Sequence, residues 1–158
     1  MLIMTINENI KFIKLPENFK ADLGSFTIDP SIELPILLGE GRDKVEDKDL
    51  TVENIVAGMI SVIAHHPDNP NFSYYKSFVL ASDPHIVEKL NQAAIAKEQR
   101  KEFEFAEELF LAVYHLLPQN ASCVNLATLY SYLAVEARSK GEDEKVWIKK
   151  VRSTLEDG

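Results

Sequence analysis

The sequence predicts an all-α fold, built of antiparallel helix pairs after an extended N-terminal segment. Three observations predict it. From Thr51 to Leu155, apolar residues recur at three- and four-residue spacings, as they do along one face of a helix. Pro67, Pro84, Pro118 and Gly141 cut that stretch into lengths suited to single helices. Before residue 50 the texture is different, with alternating apolar residues, prolines and dense charge.

Residues 1–38 carry Pro16, Gly24, Pro30 and Pro35, with alternation at Phe26 and Ile28 and at Ile32, Leu34 and Ile36. Alternation punctuated by proline reads as extended segments or short edge strands. Residues 39–50, GEGRDKVEDKDL, read as a solvated linker. The first helix begins after Thr51, a suitable N-cap, carries Val52, Ile55, Met59 and Ile63, and ends before Pro67. FSYYKSFVLA is a second, short helix stopped before Pro84. HIVEKLNQAAIAKEQR is a third, and EFEFAEELFLAVYHLL a fourth, stopped by Pro118. SCVNLATLYSYLAVEARSK is a fifth, ended by Gly141, and DEKVWIKKVRSTL a sixth, with Trp147, Val151 and Leu155 in one stripe. The chain therefore divides into a segment at 1–50 and a helical domain at 51–158.

At 158 residues the chain has about one domain's length and enough surface to bury a core. Its net charge of −8 argues against sequence-independent nucleic-acid binding and against anionic membranes, both of which need basic surface. A single cysteine, Cys123, excludes a disulfide within the chain and fits a reducing compartment. The start of the chain has no basic region before an apolar run, and Asn7, Glu8 and Asn9 interrupt it, so no signal peptide is expected. No apolar run is long enough to insert into a membrane, so the expected location is the cytoplasm.

Six helices in pairs invite a search for a period. Small pairs occur at Ala57-Gly58, Ala93-Ala94 and Ala127-Thr128, spaced 36 and 34 residues apart, and Pro84 and Pro118 are 34 apart. Residues 87–120 add Leu90, then Ala106 twelve after Ala94, Phe110 four later and Pro118 eight after that, with Phe103 opening the second helix. In these spacings the segment resembles a tetratricopeptide repeat, a 34-residue helix–turn–helix unit. The resemblance implies a short right-handed solenoid with repeats near 51–86, 87–120 and 121–158. It implies close approach of the helices at Ala94 and Ala106, with Phe110 filling against the next repeat and Pro118 fixing the turn. The flanking repeats depart from the pattern. Lys140 stands where the second alanine of the third is expected, and the second helix of the first is short and aromatic.

No catalytic constellation is apparent, so the chain is not expected to be an enzyme, and neither cofactor nor metal is implied. His65 and His66 diverge on a helix and read as a C-terminal cap rather than metal ligands. His115 reads as packed within its helix, and Cys123 as inertly buried. Glu102, Glu104, Glu107 and Glu108 crowd the first turns of the fourth helix and read as a solvated face matched to the helix dipole. Asn120 opens an NAS glycosylation pattern, which matters only in a secreted protein.

Tetratricopeptide arrays bind proteins or peptides in a concave groove lined by the first helix of each pair. Carried onto this chain, the groove positions are Glu88, Asn91, Ile95 and Glu98, then Ser122, Asn125, Leu129 and Tyr132. Asn91 and Asn125 could hold a peptide backbone, while Ile95, Leu129 and Tyr132 could form apolar pockets. These positions hold no lysine or arginine, which speaks against a carboxylate ligand. Glu88 and Glu98 point instead to a neutral or basic partner. The corresponding residues of the first repeat, Val52, Ile55, Met59 and Val62, are all apolar and need a cover. The N-terminal segment is the nearest candidate, and a second copy of the chain, hence a homo-oligomer, is the alternative. The resulting expectation is an acidic interaction module acting as a scaffold or chaperone. A dimeric export-type chaperone and an enzyme subunit on a helical scaffold are the alternatives, and the ending STLEDG leaves open whether the array continues.

Overall fold

The computed structural model describes residues 9–118 and 120–157, excluding the side chains of Asn120 and Asp157. The chain's opening Met1–Glu8, where no signal peptide is expected, and the side chain of the Asn120 glycosylation pattern lie outside the described residues. Within them are a two-stranded antiparallel sheet, β1 (Ile10–Ile13) and β2 (Leu34–Leu37), and six helices. The helices are α1 (Val52–His65), α2 (Phe72–Ser82), α3 (Ile86–Gln99), α4 (Phe103–Leu116), α5 (Asn120–Ser139) and α6 (Lys145–Asp157). No helix among the described residues is long and apolar enough to cross a membrane.

Helix starts and stops follow local chemistry. Thr51 caps α1 by accepting the Asn54 backbone N–H at 3.1 Å. After α5, Gly141 takes the left-handed conformation at φ 73°, and the Glu142 N–H reaches back to the Ala137 carbonyl at 2.8 Å. The end of α3 repeats this closure without glycine. Lys101 sits at φ 62° and the Glu102 N–H bonds the Lys97 carbonyl at 2.9 Å.

The chain falls into two compact units, one up to Lys89 and one from Leu90. The expected boundary at residue 50 is not where it divides, because the N-terminal segment packs with α1 and α2. In the first unit β2 lies on α1, and Leu34, Ile36, Ile55, Met59 and Ile63 are all fully buried. Burying side chains of this size is worth about 1.5–3 kcal/mol each. The register pairs Ile10 with Leu37 and Phe12 with Pro35, and a two-stranded sheet tolerates the proline because it has no central strand.

The small pair at Ala57-Gly58 has a different purpose from the one the repeat pattern implies. A β-carbon on Gly58 would stand 2.6 Å from the Pro35 carbonyl oxygen, so glycine is needed where β2 crosses the helix. The aromatic residues of α2 likewise serve the N-terminal segment. Tyr75 donates its hydroxyl to the Glu33 carbonyl at 2.7 Å, and Tyr74 accepts the Asp29 N–H at 2.9 Å. Phe26 packs on Tyr74 and edge-on to Phe78, with ring centres 5.3 and 5.6 Å apart.

Residues 39–50 are mostly exposed, as expected of a solvated linker, but the segment is tied down at Asp49. Arg42 clasps the buried Asp49 carboxylate with both terminal nitrogens, and that carboxylate also accepts the Glu46 N–H at 2.7 Å. These bonds hold Asp49 well below the usual carboxylate range, at about 2, with the Arg42 bond the largest cause. A short 3-10 turn at Asp47–Asp49 then leads to the cap of α1.

In the second unit α5 packs on both α4 and α6. The repeat pattern places the tightest approach between α3 and α4. Ala94, Ala106 and Phe110 are buried there, whereas Ala93 and Pro118 are exposed.

Candidate functional site

The second unit has its most distinctive surface where α3 turns into α4. The left-handed Lys101 reverses the chain, so Glu98 and Gln99 of α3, Lys101, and Phe103 of α4 border one cleft, which Thr128 and Tyr132 of α5 complete. The cleft has a volume of about 310 Å³. Its two rings, Phe103 and Tyr132, are tilted with centres 5.4 Å apart. Tyr132 remains 45% exposed, so part of this aromatic residue is open to solvent. Burial alone pushes the Glu98 carboxyl above its ordinary value. No hydrogen bond or ion pair joins its side chain to another described residue.

Beside the cleft, Lys97 pairs with Glu102 at 3.2 Å and lies 5.2 Å from the centre of the Phe105 ring. Across α4, α5 and α6 a second tie repeats this chemistry. Lys150 pairs with Glu107 at 3.1 Å and stands over Trp147 and Tyr130, 4.8 and 5.2 Å from the ring centres. Tyr130 and Trp147 are stacked at 6.1 Å, and burial, with the Glu107 carboxylate beside it, pushes the Tyr130 hydroxyl upward. The expected solvated face of α4 is thus mostly engaged. Glu104 is exposed, but Glu102 and Glu107 are paired and Glu108 is buried, because α4 packs on more than one side.

The structure separates the expected groove residues into three groups. Glu98 and Tyr132 line the cleft together. Ile95 is 42% exposed and Glu88 is exposed, but neither borders the cleft. The rest turn inward. Leu129 is fully buried, Ser122 is buried and donates to the Leu117 carbonyl at 3.3 Å, and Asn125 is half-buried. Asn91 is half-buried with its amide oxygen enclosed. For the three on α5 the reason is that this helix is covered from two sides, so its buried sector is wide. Its open sector is shifted to Val124, Thr128, Tyr132 and Val135, an i, i+4, i+8, i+11 series. That shift is legible only once α4 and α6 are placed.

The candidate chemical residues do not assemble. His65 ends α1, and the His66 N–H closes the last turn on the Val62 carbonyl at 2.7 Å. The His115 ring packs on Tyr114 at 5.3 Å, and Cys123 is buried. Among the described residues no three His, Cys, Asp or Glu side chains converge as metal ligands would.

Comparison with known proteins finds no matching family model, no matching curated protein and no matching solved structure.

Proposed function

We propose that this chain is a protein-interaction module whose binding surface is the open face of α5 together with the Glu98–Phe103–Tyr132 cleft. The cleft carries the reading. It is concave, pairs two aromatic rings with one carboxylate, and keeps Tyr132 accessible. Interfaces favour such aromatic anchors, because they bury large area at small conformational cost. Val124 and Val135, at 55% and 65% exposure, extend the apolar surface along the same helix. The helical-repeat resemblance supports the reading as an architecture of helix hairpins, with a binding face offset from the family's positions. A scaffold or chaperone role in the cytoplasm belongs to the same proposal.

The test is affinity capture from lysate of the source organism, using wild type, a Tyr132→Ala/Val135→Glu variant and a control variant, Leu80→Glu, on α2. A protein retained by wild type and by the control, and reduced at least about tenfold by the folded double variant, supports the reading. Equal retention by all three moves the binding surface elsewhere. Circular dichroism and urea unfolding verify that the variants fold.

A further inference from the structure

Two groupings in the second unit place a lysine ammonium over an aromatic ring and against a glutamate. Lys97 uses Phe105 and Glu102, and Lys150 uses Trp147, Tyr130 and Glu107. The cleft contains the same components without the cation. Phe103 and Tyr132 form the aromatic pair and Glu98 supplies the carboxylate. Among the described residues no lysine or arginine lies over either ring or pairs with Glu98. Lys101 borders the cleft but is exposed and over neither ring.

We propose that the cleft receives a lysine or arginine side chain from a protein partner. The rings hold the cation by their negative faces and Glu98 neutralises it. This rests on the interaction-module reading and adds the chemistry of the anchor. Burial penalises the Glu98 charge, and an incoming cation relieves that penalty in a way no neutral group does. The net charge of −8 draws basic segments toward the molecule before contact. The aliphatic stem of either side chain suits an aromatic-lined cleft of this size.

The test titrates the full chain with N-acetyl-lysine methylamide, N-acetyl-arginine methylamide and the neutral N-acetyl-norleucine methylamide, followed by aromatic NMR signals. Both cations are expected to shift Phe103 and Tyr132 saturably, with norleucine about tenfold weaker. Glu98→Gln should weaken the cations about fivefold and leave norleucine unchanged. Equal binding of lysine and norleucine probes, indifference to Glu98→Gln, or no shift with any probe overturns the inference. Partner capture separates the two levels. Capture that needs Tyr132 while the probes ignore charge removes the basic anchor and leaves the interaction module. Capture indifferent to the Tyr132→Ala/Val135→Glu change removes the module as well.

Discussion

Apolar helix faces are handled in opposite ways in the two units. In the first, the face of α1 bearing Ile55 and Met59 is sealed by β2, a strand from the same chain, with Gly58 admitting the strand's backbone. In the second, α5 buries one sector against α4 and α6 and leaves Val124, Tyr132 and Val135 in solvent. Both faces carry the same sequence signal, a helical run of apolar residues. What differs is whether another part of the chain has the length and shape to lie across it. A sealed face contributes stability, while an open one is available for recognition.

The sealed face of α1 is most sensitive at Met59. Met59→Ala should cost about 2–5 kcal/mol in urea unfolding, because its site is fully enclosed. A loss below about 1 kcal/mol would mean that β2 does not seal α1. Gly58→Ala should destabilise by about 1–3 kcal/mol through overpacking against Pro35. Helix propensity alone would give the opposite sign, a gain of about 1 kcal/mol, so the sign of the measured change decides whether the strand crosses there.

The open unit should respond more weakly. Lys101→Gly should stabilise by about 0.5–1 kcal/mol, since glycine adopts φ 62° without strain and offsets this partly through a more flexible unfolded chain. A destabilised variant would show that the Lys101 side chain contributes more than its backbone strain costs.

Two carboxylates sharpen the contrast by pH. The Asp49 carboxyl is depressed to about 2 in the folded clasp. Its contribution is therefore full above the ordinary aspartate value and lost as pH falls through about 4 toward 2. Wild type should lose stability over that window, and Asp49→Asn should start less stable and lose less. Glu98 runs the other way. Its raised folded value favours the protonated form, so its charge weakens the fold as pH rises past the ordinary glutamate range. Glu98→Gln should then be slightly more stable than wild type at neutral pH and equal to it in acid, the smallest effect of the set.

Legibility differed between elements for physical reasons. The capped start of α1 at Thr51 and the end of α5 at Gly141 were readable, because caps act within one turn. So was the need to cover the apolar face of α1, since exposed apolar area is costly wherever it sits. The role of Gly58 was not readable, because a small residue admits a strand as readily as a helix. The clasp of Asp49 by Arg42 was hidden among mixed charges that otherwise look like solvated loop. Within the candidate site, Glu98 and Tyr132 were expected and do line the cleft, while Leu129 and Ser122 were expected and turn inward. Phe103 was noted only as a repeat marker, yet it forms half of the aromatic pair.

Among the described residues, the six helices with their approximate limits and the extended run around Leu34–Leu37 were legible in the sequence, as was the net negative charge. Each follows from periodicity, capping and charge, which act over a few residues or need only composition. It took the tertiary structure to choose β2, within the N-terminal segment, over a second copy of the chain as the cover of α1, to show that Arg42 holds Asp49, and to place the open sector of α5 at Thr128 and Tyr132. Each of these depends on which faces meet across long stretches of chain, and one helical period is compatible with many such pairings.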